Sequence, residues 1–154
     1  MLLAIDPGPV KSALVLYDPG VGLCGHVIDV NERIRWRLKD HHAVEGDVLV
    51  VEQIASYGMA VGAEVFLTCF ESGRFVEAWG REFAMLTRLA VKLHLTGQPR
   101  AKDANVRQAL VDRFGGPAAL KKGGPLYKVA GDSWSALAVA CAWADRLPLE
   151  KPSA

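Results

Sequence analysis

The chain begins with a run of apolar residues that ends in a single carboxylate. Leu2 to Ile5 lacks polar alternation, and Asp6 follows immediately before Pro7-Gly8-Pro9. An uninterrupted apolar run of this length predicts a central β-strand that is buried on both faces. The Pro-Gly-Pro segment ends the strand, because proline cannot donate to the hydrogen-bonded ladder. We therefore predict that Asp6 lies at the end of a central strand, open to a cleft; a simple turn-capping role is the alternative.

A second run of the same kind appears later in the chain. Val48 to Val51 is again wholly apolar and ends in a carboxylate, Glu52. Residues 31–46 are long enough to form a crossover, which predicts that this strand runs parallel to the first. Two neighbouring strands would then each deliver an acidic side chain to the same edge of the sheet. A lone Glu in such a position is more often a solvated loop residue, but the repetition favours a shared site.

The remaining elements follow from periodicity and from turn residues. Strands are predicted at 13–17, 26–30 and 83–86, the first two completing an antiparallel meander. The segment 31–42 fits a strand or a helix, and the need for a crossover favours a helix with Asn31 as its N-cap. Further helices are predicted at 61–79, at 102–114 and from Asp132 onwards. The buried stripe of the first of these is predicted at the apolar positions 61, 65, 66, 69, 70, 76 and 79. Residues 87–95 are interpreted as a connection and 117–131 as a loop.

Composition limits the class of protein. The 154 residues suit one domain, and 51% of them are hydrophobic, which favours a compact fold. We expect that domain over residues 1–147 and a flexible tail over 148–154. No apolar stretch reaches the length of a membrane span, and no secretion signal is recognisable, so a cytoplasmic location is expected. Cys24, Cys69 and Cys141 lack metal-site spacing and are predicted to be buried free thiols.

The positive charge is clustered although the formal net charge is only +1. The clusters are Arg33, Arg35, Arg37 and Lys39; Arg100, Lys102 and Arg107; and Lys121, Lys122 and Lys128. Such clusters are compatible with a nucleic-acid partner if the fold brings them together. Taken singly, each is more often a solvated face.

A third acidic residue completes a candidate metal site. Asp132 is predicted at the start of the last helix, and Asp6 and Glu52 at strand ends. Carboxylates gathered in one cleft repel each other unless a hard cation neutralises them, and oxygen ligands suit Mg²⁺ or Mn²⁺. Two such ions about 3.5–4 Å apart can activate water and stabilise the leaving oxygen in phosphodiester hydrolysis.

Several segments carry a resemblance to a known family over residues 2–146. They are Leu3-Ala4-Ile5-Asp6-Pro7-Gly8; Val50-Val51-Glu52-Gln53 with Ser56-Tyr57-Gly58-Met59-Ala60-Val61-Gly62; Gly73-Arg74; Ala101-Lys102-Asp103-Ala104-Asn105-Val106-Arg107; and Gly131-Asp132-Ser133-Trp134-Ser135-Ala136-Leu137-Ala138-Val139-Ala140. In order and spacing the chain resembles the RuvC-type Holliday-junction resolvases of the ribonuclease H-like superfamily, especially the small phage and prophage members.

The resemblance implies a fold and an activity. The fold would be α/β, a mixed five-stranded sheet with helices on both faces. The activity would be that of a crossover junction endodeoxyribonuclease, a homodimer that cleaves four-way DNA in recombination and repair with Mg²⁺, two ions per active site, and Mn²⁺ as a substitute. The family's catalytic and metal-binding acids carry over to Asp6, Glu52 and Asp132, and its active-site lysine segment to Lys102.

One position departs from the family pattern. The cellular enzymes usually carry a second acid one helical turn after the last Asp, and this chain has Ser135 there. A serine hydroxyl is a poor metal ligand without charge, so one metal site would be weaker or completed by water. Asp103 is the nearest candidate for a substituting acid.

The predicted nucleic-acid contacts rest on the basic clusters and on the resembling segments. Tyr57 and Phe66 both lie in the region where the family inserts side chains into the junction centre. Tyr57 is the candidate wedge, whereas Phe66 is more simply explained as a core residue. Lys102, Lys121 and Lys122 would touch phosphates, with solvated lysines as the alternative. The full set is Lys11, Tyr57, Arg74, Arg100, Lys102, Arg107, Lys121 and Lys122.

Two other functions compete with a junction nuclease. An actin-like ATPase or sugar kinase also begins with a strand, an Asp and a glycine turn, but it needs a second phosphate loop and a second half-domain that 154 residues do not accommodate. A DNA-binding module that keeps the fold without the chemistry is the other alternative, and Ser135 makes it plausible.

Overall fold

A five-stranded mixed sheet forms the centre of the structure, a computed structural model that describes residues 1–146. The strands are β1 (Leu2–Asp6), β2 (Lys11–Asp18), β3 (Gly22–Val30), β4 (Val48–Gln53) and β5 (Phe83–Thr87), in the spatial order β3-β2-β1-β4-β5. β1 pairs antiparallel with β2 and parallel with β4, and β5 continues the parallel part. The predicted sheet and the predicted parallel pairing are confirmed. The tail predicted over residues 148–154 lies outside the described residues.

The central strand β1 is buried on both faces, as its apolar run predicts. Leu2 and Ala4 point into one hydrophobic cluster, while Leu3 and Ile5 point into the other. This alternation is the two-residue period of a β-strand. The next residue in the first series is Asp6, so its side chain is directed to the same face as Leu2 and Ala4.

Helices cover both faces of the sheet, as predicted. Helix α1 (Asn31–Asp40) and helix α2 (Ala63–Trp79) pack on the face of Leu3 and Ile5, and helices α3 (Arg88–Thr96), α4 (Asp103–Arg113) and α5 (Ser133–Ala144) pack on the other. A short 3₁₀ helix, Gly116–Leu120, interrupts the predicted loop. Over residues 1–146 no helix combines the length and the apolar character that a membrane crossing demands.

Helix α5 is buried on nearly every side. Its buried residues include Ala136, Leu137, Ala138, Val139, Ala140, Cys141 and Ala142. A helix that is apolar all round belongs between layers rather than at a surface. The small alanine side chains allow α5 to lie close to the sheet, with its first turn at the edge where β1 ends.

Residues 87–95, interpreted from the sequence as a connection, form a helix instead. Thr87 ends β5 and caps α3, since its Oγ1 accepts a hydrogen bond from the Ala90 N–H at 3.2 Å. Gly97 ends the helix with a φ of 71°, a conformation that glycine adopts without strain. β5 is thus the parallel strand that leads directly into a helix, with Arg88 as the first helical residue.

The predicted buried stripe of α2 is confirmed at Trp79 and is wrong at Phe66, Cys69 and Phe70. Phe66 and Phe70 are 66% and 64% exposed, so the interpretation of Phe66 as a core residue is also wrong. The buried face carries Thr68, Ser72, Phe75 and Trp79. The hydroxyls of Thr68 and Ser72 donate to backbone carbonyls one turn earlier, at 2.8 and 2.9 Å. Because these bonds satisfy the hydroxyls, Thr68 and Ser72 can occupy the buried face of α2. The face that carries Phe66 and Phe70 is then exposed.

The cysteines are not all buried, contrary to the prediction. Only Cys141, on α5, is enclosed, whereas Cys24 and Cys69 are exposed. Cys24 lies on the edge strand β3, and Cys69 belongs to the uncovered face of α2. All three are free thiols, as predicted.

A buried polar network holds the turn that follows Asp6. The Gly8 N–H donates to Ser12 Oγ at 3.0 Å, and the Ser12 hydroxyl donates to Asn31 Oδ1 at 2.7 Å. Asn31 Nδ2 returns a bond to the Gly8 carbonyl at 2.9 Å. Asn31 is the first residue of α1 rather than its N-cap, so that prediction is wrong. A Cβ atom on Gly8 would lie 2.3 Å from the Lys11 carbonyl oxygen, which restricts this position to glycine.

We expect Asn31→Ala to destabilise the fold by about 2–4 kcal/mol, because it removes two hydrogen bonds and leaves buried partners unsatisfied. Asn105→Ala is the matched control, since the Asn105 amide accepts one exposed bond from the Lys102 N–H and should cost about 1 kcal/mol or less. Urea unfolding of both variants measures the difference. Equal losses would mean that the network does not hold the turn.

Candidate active site

The carboxyl ends of β1 and β4 bring Asp6 and Glu52 to one edge of the sheet. The last paired residues of the two parallel strands are Ile5 and Val51, and each acid is the next residue along its strand. Ala4 and Val50, two residues earlier, both belong to the hydrophobic cluster that includes α5. The two-residue period therefore directs Asp6 and Glu52 to the face that α5 covers.

Glu52 is only 5% exposed, and burial raises its pKa although Arg88 acts in the opposite direction. Asp6 is half-buried beside it. Burial first, and then the charges of Glu52 and Asp132, raise the pKa of Asp6 to about 7, while Arg88 and the nearby Ser135 hydroxyl act against this. Both shifts have the cause expected for carboxylates held together away from water.

Helix α5 delivers the third predicted acid and the residue that departs from the family pattern. Asp132 immediately precedes the helix and is exposed, and Ser135 lies one turn further on, half-buried. Asp6 senses both, because the charge of Asp132 raises its pKa and the Ser135 hydroxyl lowers it. One cleft is lined by Asp6, Arg88, Asp103, Arg107, Asp132 and Ser135. Glu52 lines an adjoining cavity that shares Arg88 and Ser135 with this cleft.

Arg88, the first residue of α3, is a site residue that the sequence analysis missed. Its guanidinium donates to Glu52 Oε1 at 3.3 Å and to Asp103 Oδ1 at 2.7 Å. The signal was available, because Arg88 directly follows β5, the strand that lies next to and parallel to β4, which carries Glu52. Interpreting residues 87–95 as a connection removed that strand end from consideration.

Asp103, the candidate substituting acid, belongs to this ion-pair group. It begins α4, and its carboxylate also lies 3.3 Å from Lys92 Nζ. Burial would raise the pKa of Asp103, but hydrogen bonds and charges from Arg88 and Lys92 lower it. Asp103 is thus paired with cations of this chain and remains ionised at neutral pH.

The donor set fits a hard cation in its chemistry. Oxygen atoms of Asp6, Glu52 and Asp132 are the ligand type that Mg²⁺ binds, and a divalent cation would compensate the charge that burial penalises at Asp6 and Glu52. Within residues 1–146, however, no three acidic, histidine or cysteine side chains already stand close enough together to form a metal site. The carboxylates would have to draw together on binding.

The predicted DNA-contacting residues occupy several elements. Arg107 lines the cleft, and its guanidinium carbon lies 4.8 Å from the centre of the Trp134 ring. Lys102 and Arg100 are exposed at the start of α4, and Lys121 and Lys122 follow the 3₁₀ helix. Lys11 begins β2 at the surface, and Tyr57 is exposed after β4. Arg74 lies on α2, across the sheet from α5, where it pairs with Glu71 at 2.9 Å.

Comparisons with solved structures identify the fold. A structure of RuvC from Thermus thermophilus matches with a TM-score of 0.65 at 18% sequence identity, over 92% of this chain and 91% of that one. A structure of T. thermophilus RuvC in complex with a Holliday junction substrate matches with a TM-score of 0.60 at 16% identity, over 92% and 90%. No protein-family model matches the sequence, and no curated protein does so. The likeness confirms the predicted ribonuclease H-like fold.

We expect Asp6→Asn to stabilise the metal-free protein at pH 8 and to leave its stability nearly unchanged at pH 4. The pKa of Asp6 is about 7 in the folded chain against an ordinary value of 3.8. The stability that Asp6 contributes is therefore fully present below about pH 4 and is lost as the pH rises through 7. Asparagine stays neutral and escapes that loss, which is on the order of 1–4 kcal/mol.

Chemical unfolding in the presence of a chelator, at both pH values, measures this difference. Asp112→Asn, which neutralises an exposed acid of α4, should behave alike at pH 4 and pH 8. A pH-independent effect of Asp6→Asn would show that Asp6 is not held in a charge-repelling environment.

Proposed function

We propose that this chain, which has the fold of RuvC, is a metal-dependent endodeoxyribonuclease that cleaves four-way or otherwise branched DNA junctions. The observation that carries the proposal is the meeting of two buried, parallel strand ends, each with a carboxylate, beneath the first turn of α5. One structural neighbour was solved with a Holliday junction substrate. Recombination and repair are the processes in which such a substrate arises, and the small phage branch of the family is the proposed affiliation.

Asp6, Glu52 and Asp132 would hold Mg²⁺, or Mn²⁺ in its place, with two ions per active site. When bound, such ions supply an activated water and stabilise the leaving oxygen. Two features of the protein residues suit the binding of such ions. Asp6, with a pKa of about 7, gives up its proton readily near neutral pH when a cation arrives, and Ser135 lies beside it as a neutral neighbour.

Lys102 and Arg107 are proposed to hold the DNA at the cleft. Arg107 already lies over Trp134, and this contact keeps its guanidinium in place without neutralising it. Lys102 is exposed next to Asp103, in reach of a phosphate that enters the cleft. Phosphate contacts need only positioned positive charge. Lys11, Arg74, Arg100, Lys121 and Lys122 would extend the contact along the arms.

Tyr57 is proposed as the wedge at the junction centre. It is 57% exposed, and its φ of 49° lies in the left-handed region, which non-glycine residues seldom adopt. Such strain is often retained where function requires a particular side-chain position. An exposed aromatic ring can stack on the bases that open at a branch point.

A homodimer is proposed because a four-way junction is resolved by two symmetric cuts, which need two active sites. The uncovered face of α2 supports this assembly. Phe66, Leu67 and Phe70 follow helical spacing and are 66%, 53% and 64% exposed. Uncovered aromatic groups in one contiguous patch are typical of protein interfaces. The exposed Cys69 lies within the same segment.

A junction-binding module without nuclease activity is the second candidate. Two observations favour it: Ser135 replaces an expected acid, and Arg88 is bonded to Glu52. Both reduce the negative charge available to a metal ion. Cleavage of a synthetic junction distinguishes the two functions, because both predict binding and only the nuclease predicts Mg²⁺-dependent products.

For the nuclease, we expect Asp6→Asn to reduce the rate at which a synthetic four-way junction is cleaved, while junction binding remains. The reduction should exceed roughly 10–100-fold, which is the usual effect of changing a residue that only supports a metal ligand. The substitution removes a charged oxygen ligand and leaves the basic residues intact. Cleavage is measured with Mg²⁺ on labelled junction and on plain duplex, and binding by gel shift with Ca²⁺.

Asp132→Asn should behave like Asp6→Asn, and the surface substitution Asp112→Asn should cleave like the original protein. Full activity of Asp6→Asn would exclude these carboxylates from the chemistry. An original protein that binds the junction but never cuts it would establish the binding module instead.

We further expect Phe70→Asp to weaken dimerisation at least about 30-fold, the effect of a hot spot of ~2 kcal/mol. Light scattering during size exclusion should report twice the 16.6 kDa chain mass for the original protein and a single mass for the variant. Trp36→Asp, on an exposed position of α1, is the control and should remain dimeric. A dimer that survives Phe70→Asp would use another surface.

A further inference from the structure

Arg88 bridges two carboxylates that differ greatly in their surroundings. The inner one, Glu52, has a side chain that is 6% exposed and lies 3.3 Å from the guanidinium. The outer one, Asp103, is 72% exposed and lies 2.7 Å from it. Arg88 itself is intermediate, with a side chain that is 41% exposed. The guanidinium is thus located at the boundary between the buried acid and the solvent.

The inner contact compensates a charge that would otherwise be unpaired. A buried carboxylate is costly unless a cation or hydrogen-bond donors accompany it. Among residues 1–146, Arg88 is the cation that forms an ion pair with Glu52. A divalent ion bound by Glu52 would neutralise the same negative charge that Arg88 compensates.

The outer contact is the shorter one and has its own support. Asp103 Oδ1 accepts from Arg88 at 2.7 Å and lies 3.3 Å from Lys92 Nζ. Arg88 and Lys92 are one turn apart on α3, whereas Asp103 begins α4. Asp103 therefore offers Arg88 a partner that does not depend on Glu52.

We propose that Arg88 is a resident counter-cation of the active site, which shields Glu52 in the metal-free protein and, when a divalent ion binds, leaves Glu52 while it stays bonded to Asp103. The inference rests on the metal site of the proposed function and adds the regulation of that site. Arg88 and the ion compete for Glu52, because a guanidinium and a divalent ion on the same carboxylate repel each other. Asp103 raises the affinity for the metal ion, because it retains the displaced guanidinium.

The two partners of Arg88 then have opposite effects on metal affinity. Arg88→Gln removes the competitor, so we expect Mn²⁺ to bind about 3–10-fold more tightly. Asp103→Asn removes the alternative partner and keeps Arg88 on Glu52, so we expect Mn²⁺ to bind about 3–10-fold more weakly. In the Arg88→Gln background, Asp103→Asn should have no effect, since no guanidinium is left to retain. This non-additivity is the signature of the proposal.

Binding of Mn²⁺ alone, without DNA, is measured at pH 8.5 by the loss of the free-ion electron paramagnetic resonance signal. Arg113→Gln is the control, because Arg113 pairs with Asp145 at the far end of α5; its affinity should equal that of the original protein. Asp103 is exposed, so an unmoved affinity of its single variant overturns the proposal even if Arg88→Gln does not fold. Circular dichroism verifies the fold of each variant.

The outcomes separate this proposal from the proposed function. If neither the original protein nor Arg88→Gln binds Mn²⁺, the metal-dependent function fails. If the original protein binds and Arg88→Gln or Asp103→Asn leaves the affinity unmoved, the counter-cation role alone is overturned. If Asp103→Asn weakens binding equally in both backgrounds, Asp103 acts on the ion directly, as a ligand or through its charge, and its role as the partner that retains Arg88 is wrong.

Discussion

The parallel pairing of β1 and β4 is the constraint on which the site depends. It places two carboxylates at adjacent strand ends, on the face covered by α5, a helix that is buried on nearly every side. Burial raises the pKa of both acids, and the charge of Glu52 adds to the rise at Asp6, so the fold holds the two carboxylates where their charged forms are disfavoured. Sites where a fold opposes a local preference in this way are frequently functional. The surrounding ion pairs through Arg88 relieve part of the conflict without removing it.

The sequence predicts the centre of the molecule better than its periphery. The apolar runs before Asp6 and Glu52 specify buried strands because a run with no polar alternation suits burial on both faces. The sheet, its parallel pair and helices on both faces followed from that pattern and from the family resemblance. The resemblance also supplied the roles of Asp132 and Lys102, which stay predictions until they are tested by mutation.

The errors lie where polar side chains find partners across the fold. Arg88 was missed because a guanidinium that bridges Glu52 and Asp103 depends on contacts 36 and 15 residues apart. Asn31 looked like a helix cap, yet it bonds to Ser12 and Gly8. On α2, hydroxyls satisfied by the preceding turn took the buried positions that hydrophobicity assigned to Phe66 and Phe70. Periodicity registers apolar character, but not the satisfaction of a polar group by tertiary structure.

The alanine-rich surface of α5 has a consequence for how this fold can change. The size of the side chains between α5 and the sheet acts as a spacer, because it sets the distance of the first turn of the helix from the sheet. A larger side chain at Ala136 or Ala140, both fully buried, would lift that turn away from the strand ends. Residues at positions 132 and 135, in contrast, face the cleft and can be exchanged without altering the spacer. The buried alanines of α5 thus set the distance between its first turn and the sheet, while positions 132 and 135 determine the charge that the helix presents to the cleft. The residues at positions 132 and 135 can vary while the alanines stay the same.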